Sequence, residues 1–202
     1  RVWIEEPGYP TARRVFSLGG VAVTPVPVDA EGLVVARGRE RAADAKAAFV
    51  TPTRQYPTGV TMPLARRLEL LDWAAEVGAM IIEDDYDSEY RYVGRPLPAL
   101  MSLDQRASVI YSGSFSKVFS PIVRLGYIVV PKRLLHRFRE ERFNHGAPPS
   151  LVAQPALAEF MASGSFAIHI RRMRRIYAAR RQTLIAALEP SDGKLFTLDA
   201  SP

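Results

Sequence analysis

The segment Ala79-Met80-Ile81-Ile82 is apolar at every position and runs straight into Glu83-Asp84-Asp85. A strand with one wet face alternates apolar and polar residues, so an unbroken apolar run demands cover on both faces. Strands of that kind belong to parallel sheets with helices packed on either side. The surrounding pattern agrees. Residues 21–28, 47–51, 79–83, 108–112 and 125–130 read as strands, and 29–32 as a turn. Helices are predicted over 12–18, ended by Gly19-Gly20, over 39–46, and from Pro63 to Val77. The last offers Leu64, Leu68, Leu71, Trp73 and Ala75 for packing and stops at Gly78. After Pro131 the pattern turns helical over 132–143, 151–161 and 166–188, with Pro148-Pro149 between the first two. The fold class is therefore α/β, a mostly parallel sheet flanked by helices.

In open α/β sheets, ligands bind at the carboxyl ends of the strands. The acidic cluster lies at one such end. Lys117 lies just past another, in Tyr111-Ser112-Gly113-Ser114-Phe115-Ser116-Lys117. Lysine is scarce in this chain: Lys46, Lys117, Lys132 and Lys194 stand against many arginines. An amine set among small hydroxyl residues can lose its proton and attack a carbonyl, giving a Schiff base. The hydroxyls, with Arg124 nearby, suit a phosphate. Amine plus phosphate site suggests pyridoxal 5′-phosphate (PLP). One carboxylate of the cluster can pair with a protonated pyridine nitrogen and keep the ring an electron sink. A tyrosine hydroxyl can hold the ring's phenolic oxygen. The plainer readings are an ordinary loop lysine and a solvated acidic loop, or a metal site of clustered oxygens. No histidine stands close to the cluster and no EF-hand spacing is present, so no metal is expected.

Five blocks, in order, carry a resemblance. They are Glu5-Glu6-Pro7-Gly8-Tyr9-Pro10, Val26-Pro27-Val28-Asp29-Ala30-Glu31-Gly32-Leu33, Thr51-Pro52-Thr53-Arg54-Gln55-Tyr56-Pro57-Thr58-Gly59, Glu83-Asp84-Asp85-Tyr86-Asp87-Ser88-Glu89-Tyr90, and Ser112 to Lys117. With them the chain resembles the fold-type I PLP enzymes, and more narrowly the aminotransferase-like domain of MocR-type regulators of the GntR family. The resemblance implies that Lys117 is the Schiff-base lysine and that Asp84 pairs with the pyridinium. It places Tyr86 by the phenolic oxygen, with Ser114, Arg124 and Ser116 as phosphate ligands. Asp85 is the rival to Asp84, because neighbours on an extended segment face opposite ways. Tyr56 departs from the asparagine of ordinary aminotransferases, and a phenol cannot supply an amide's paired donor and acceptor. The MocR branch also departs there.

The resemblance further implies a PLP-binding large domain over 1–165, then a long connecting helix and the start of an incomplete small domain over 166–202. The family's phosphate-holding glycine loop and its ring-stacking aromatic are expected upstream of Arg1, so the chain reads as an internal piece of a longer protein. Two functions share these motifs. One is an effector domain that senses an amino compound or PLP, within a homodimer whose winged helix-turn-helix upstream of Arg1 binds DNA. The other is a working aminotransferase, in which Lys117 moves a proton. A nucleotide-binding α/β protein without PLP is a third class, but no Gly-rich phosphate motif supports it.

Composition narrows the setting. No apolar run approaches 18 residues, so no membrane span is expected. Cysteine is absent, which excludes disulfides and fits a reducing cytoplasm. The net charge of +6 comes mainly from arginine, densest at Arg171, Arg172, Arg174, Arg175, Arg180 and Arg181. These could meet nucleic-acid phosphates, but a solvated face opposite a packing stripe is the simpler reading. His136, His145 and His169 fall outside the matched blocks and read as surface residues.

Overall fold

A computed structural model describes residues 1–91, 97–145 and 150–189. One seven-stranded sheet organises them, in the order β3-β2-β1-β4-β5-β6-β7. Its strands are β1 (Val2–Glu6), β2 (Val23–Asp29), β3 (Gly32–Leu33), β4 (Ala47–Val50), β5 (Met80–Asp85), β6 (Val109–Ser114) and β7 (Gly126–Val129). The five inner strands run parallel, and β3 and β7 close the two edges antiparallel. The mostly parallel α/β sheet expected from the apolar runs is therefore present.

One face of the sheet is covered by α2 (Val35–Arg41), α3 (Leu64–Val77) and the short α4 (Leu100–Leu103). Beneath them, Trp3 of β1 stacks on Trp73 of α3 with centroids 3.8 Å apart and planes 20° from parallel. The Trp3 indole N–H, buried, donates to the Ala42 carbonyl at 3.0 Å. Gly38 of α2 lets that helix approach: a Cβ there would stand 2.6 Å from the Trp3 ring. On the other face, Ile4 and Phe49 pack with Ala12 of α1 (Pro10–Leu18), and Phe16 meets Phe49 edge-on. A third cluster joins Tyr90 and Val118 to Ile170 of α8 (Ser165–Leu188). The four residues of β7 are all exposed.

The packing stripe of α3 differs from expectation. Arg67, Leu70, Trp73 and Ala74 are buried, whereas Leu64 and Leu68 are exposed. The spacing is helical in both cases. A charged residue at its head disguises the true stripe, for Arg67 is fully buried. Its Nε donates to the Met62 carbonyl at 3.0 Å, Nη2 to Pro52 at 2.9 Å and Nη1 to Pro98 at 3.2 Å. Glu83, also fully buried, lies 3.7 Å from Nη1 and accepts the Leu100 and Met101 amides.

Other boundaries move. The helix expected over 39–46 forms earlier, as Val35–Arg41, because Ala42 and Ala45 turn into the core around Trp3. Strands β1 and β3 are additions. The helix expected over 132–143 begins as a 3-10 turn and continues as α6 (Leu135–His145), while α7 spans Ala153–Ala162. Pro148-Pro149 and the expected small-domain start after Glu189 lie outside the described residues. No helix among the described residues is long and apolar enough to cross a membrane.

Gly38→Ala sets a helix-propensity gain of about 1 kcal/mol against overpacking of about 1–3 kcal/mol. The Trp3 ring cannot retreat from its stack on Trp73, so overpacking wins. Urea denaturation should show a net loss of stability and a lower midpoint.

Candidate functional site

The parallel strands β4, β5 and β6 end side by side, with Asp84 in register with Ser112 and Asp85 with Gly113. Just past these ends lies a cavity of about 360 Å³. Its walls are Tyr9, Thr51, Tyr56, Asp84, Tyr86, Ser114, Ser116 and Lys117. Strand pleating divides the acidic cluster. Asp84 lines the cavity, while Asp85 is buried and accepts the Tyr111 hydroxyl at 2.7 Å and the Ser88 amide at 3.1 Å. Burial, with Asp85 beside it, pushes the Asp84 carboxyl up to about 6. The Tyr86 hydroxyl donates to the Arg54 carbonyl at 3.0 Å. Burial first, then Asp87, raises that phenol to about 12.

Ser114 ends β6 and caps the four-residue helix α5 (Phe115–Val118), its Oγ accepting the Ser116 amide at 3.1 Å. That tight turn brings Ser114, Ser116 and Lys117 to the same wall. Arg124 is placed differently. It follows the 3-10 turn Pro121–Val123 in a left-handed conformation, φ 53°, is exposed, and is not among the cavity-lining residues. Of the six sequence-derived candidates, the structure thus gathers Lys117, Asp84, Tyr86, Ser114 and Ser116 on one cavity and leaves Arg124 off its lining. Among the described residues no cluster of three or more metal-ligating side chains exists.

Five further residues belong to the site: Tyr9, Thr51 and Tyr56 on its wall, and Glu5 and Gln55 behind it. Tyr9 and Tyr56 meet edge-to-face, centroids 5.5 Å apart, so aromatic walls expected only upstream of Arg1 are present within the chain. Their ring faces were legible only as parts of the Pro7-Gly8-Tyr9 and Tyr56-Pro57 blocks. Glu5 and Gln55 form the support behind. Glu5 is 2% exposed, and its Oε2 accepts the Thr51 hydroxyl at 2.7 Å and, at 3.2 Å each, the Thr51 amide and Gln55 Nε2. Its Oε1 is buried without a hydrogen-bond partner. Burial pushes Glu5 from 4.5 up to about 7. The bonds from Thr51 and Gln55 oppose that rise, and Asp84 adds to it. The signal for Glu5 was a carboxylate directly after the apolar run Val2-Trp3-Ile4.

The family model for aminotransferases of class I and II matches residues 1–199. The chain belongs to the class I and II aminotransferase family. Within that family's reach, it is 42% identical over 197 residues to a probable rhizopine catabolism regulatory protein MocR of Rhizobium meliloti, covering 98% of this chain and 40% of that protein. It is 40% identical to an HTH-type pyridoxine biosynthesis transcriptional regulator PdxR of Corynebacterium glutamicum, covering 90% of this chain and 39% of that protein. Among solved structures, kynurenine aminotransferase of Pyrococcus horikoshii in complex with PMP superposes with a TM-score of 0.87. The two are 29% identical over 96% of this chain and 50% of that one. This aminotransferase-family chain therefore spans about two-fifths of the length of these curated relatives.

Glu5 makes stability depend on pH. Between about 4.5 and 7 the folded chain holds a proton that the unfolded chain has released. Stability therefore falls as pH rises through that window, by on the order of 3 kcal/mol in total. Glu5→Gln removes the titration. Melting curves at pH 5 and pH 8 should show the wild type losing stability relative to Glu5→Gln over this interval.

Proposed function

We propose that this chain is the PLP-binding, aminotransferase-like effector domain of a MocR-type regulator of the GntR family, with PLP held on Lys117. The observation that carries this reading is the convergence of one amine, two serine hydroxyls, a carboxylate and a phenol on a single cavity at strand ends. The donor set fits the group. PLP, when bound, supplies an aldehyde for a lysine amine and a pyridine ring that withdraws electrons.

The protein's own residues have distinct parts in that reading. Lys117 offers the amine that fastens the group and can carry a proton to and from a bound amino compound. Asp84, raised to about 6, would hold a cationic ring nitrogen and be kept ionised by it. The Tyr86 phenol stays protonated at neutral pH; its single O–H is given to the Arg54 carbonyl here and would have to turn from it to reach a ring oxygen. Ser114 Oγ already accepts the Ser116 amide, so its hydroxyl proton is available to a phosphate oxygen. Ser116 lies beside it, whereas Arg124, exposed and off the cavity lining, would reach the phosphate only by a change of its side-chain position. Tyr9 and Tyr56, both partly exposed, line the cavity and offer ring faces to a bound group.

The regulator reading is supported by the similarity to MocR and PdxR, which exceeds that to the kynurenine aminotransferase. It entails a DNA-binding winged helix upstream, a homodimer, a cytoplasmic setting, and an amine, an amino acid or PLP itself as the sensed molecule. Residues 1–165 form the PLP-binding part and 166–202 the passage to a second domain. A second reading, a working PLP-dependent aminotransferase, is favoured by the close superposition on an aminotransferase. Steady-state transamination assays with amino acids and 2-oxo acids separate the two: sustained turnover supports the enzyme, and PLP-dependent operator binding without turnover supports the regulator.

The intact protein with PLP should show a visible absorption band and, after borohydride, a covalent adduct on Lys117. Lys117→Ala should lose both. A reducible adduct that survives this substitution would place the attachment elsewhere.

Asp84→Asn should shift that band and weaken PLP binding about tenfold or more, since it removes a charge partner worth one to three pKa units. Asp85→Asn should leave the band in place and lower the melting temperature, because Asp85 holds Tyr111 and Ser88. The reverse pattern would exchange the two roles.

A further inference from the structure

We propose that Glu5 is a positioning residue for the cavity, holding Thr51 on its wall directly and Tyr56 through Thr51 and Gln55, and doing so most tightly when ionised. The inference rests on the PLP reading above and deepens it. Glu5 does not line the cavity. It acts through residues that do. Thr51 gives its amide and hydroxyl to Glu5, and the same hydroxyl oxygen accepts the Tyr56 amide at 3.1 Å. Gln55 Oε1 accepts the Thr58 hydroxyl at 2.7 Å and its amide at 3.2 Å, so the far end of the 51–58 turn is tied to this pair as well.

The lever is a competition. Gln55 Nε2 carries two hydrogens but has three acceptors in reach: Glu5 at 3.2 Å, the Pro7 carbonyl at 2.9 Å and the Tyr56 carbonyl at 2.6 Å. An ionised Glu5 is the strongest acceptor of the three and draws the amide towards β1. A neutral Glu5 is a weak one, and the amide goes to Pro7 and Tyr56. The bare Oε1 is the oxygen free to take the proton. The ionisable groups acting across this space are Asp84 and Tyr86, both on the cavity, while Thr51 and Gln55 are neutral. A cationic ring bound to Asp84 would offset that carboxylate's charge, which raises the Glu5 pKa, and so would favour loss of the Glu5 proton. Cofactor binding and wall tightening are then linked.

The test measures PLP dissociation constants for the intact protein from pH 5.5 to 8, for wild type, Glu5→Gln and Glu5→Asp. If binding lowers the Glu5 pKa by one unit, wild-type affinity gains about tenfold on Glu5→Gln across this range. Glu5→Asp, which still ionises, keeps a pH-dependent gain. A wild-type to Glu5→Gln ratio that stays constant with pH reduces Glu5 to a structural prop and overturns the proposal. A cofactor-free arm follows the side-chain carboxyl carbons of the apo protein by carbon-13 NMR. A resonance titrating near neutral pH and missing in Glu5→Gln supports the lever even if PLP does not bind, in which case the cofactor reading alone fails. Its absence overturns the lever.

Discussion

The guanidinium of Arg67 is the fastening on which the site end of the sheet depends. It is fully buried, and a charge is tolerated there only because acceptors surround it. Three carbonyls and the Glu83 carboxylate converge on it from the β4–α3 connection, β5 and the entry to α4. Breaking a buried pair from one side leaves an uncompensated charge and costs about 3–5 kcal/mol. The anchored atoms are immediate neighbours of the cavity. Pro52 follows Thr51, and Glu83 precedes Asp84. An ionic knot on the covered face thus fixes residues that act on the open one.

Strand β5 shows how one short segment serves both needs. Pleating sends Glu83 and Asp85 to one side, where amide hydrogens and a phenol satisfy them. Asp84 is sent to the other, where no donor among the described residues neutralises it and burial raises its pKa. A carboxylate left short of partners is costly for stability and useful for binding a cation. Glu5 repeats the arrangement one layer back, with one oxygen saturated and the other bare.

Much of this was legible in the sequence because the relevant signals were local. The apolar run before Glu83 gave β5, and the hydroxyl-rich turn before Lys117 gave a strand end with an amine. What stayed hidden depended on distant partners. Arg67 reads as a surface residue until Pro52, Met62 and Pro98 surround it. β1 is a central strand, yet Glu5-Glu6 masks it until Thr51 and Gln55 supply donors. Tyr9 lies some 47 residues from Tyr56 in the chain, and only the parallel pairing of β1 with β4 brings them together. The exposed position of Arg124 follows from its left-handed turn, which residue type alone does not reveal.

The chain has two tryptophans, and both are in the Trp3–Trp73 stack. Indoles held this close and nearly parallel couple their electronic transitions, and being fully buried they emit without contact with water. The protein therefore carries an optical reporter confined to the β1–α3 seam. Near-ultraviolet dichroism of that pair follows the covered side of the sheet, whereas the cavity wall is built from tyrosines and has its own, weaker signal. Loosening of the core and rearrangement of the site can thus be watched separately in one sample, with no label added.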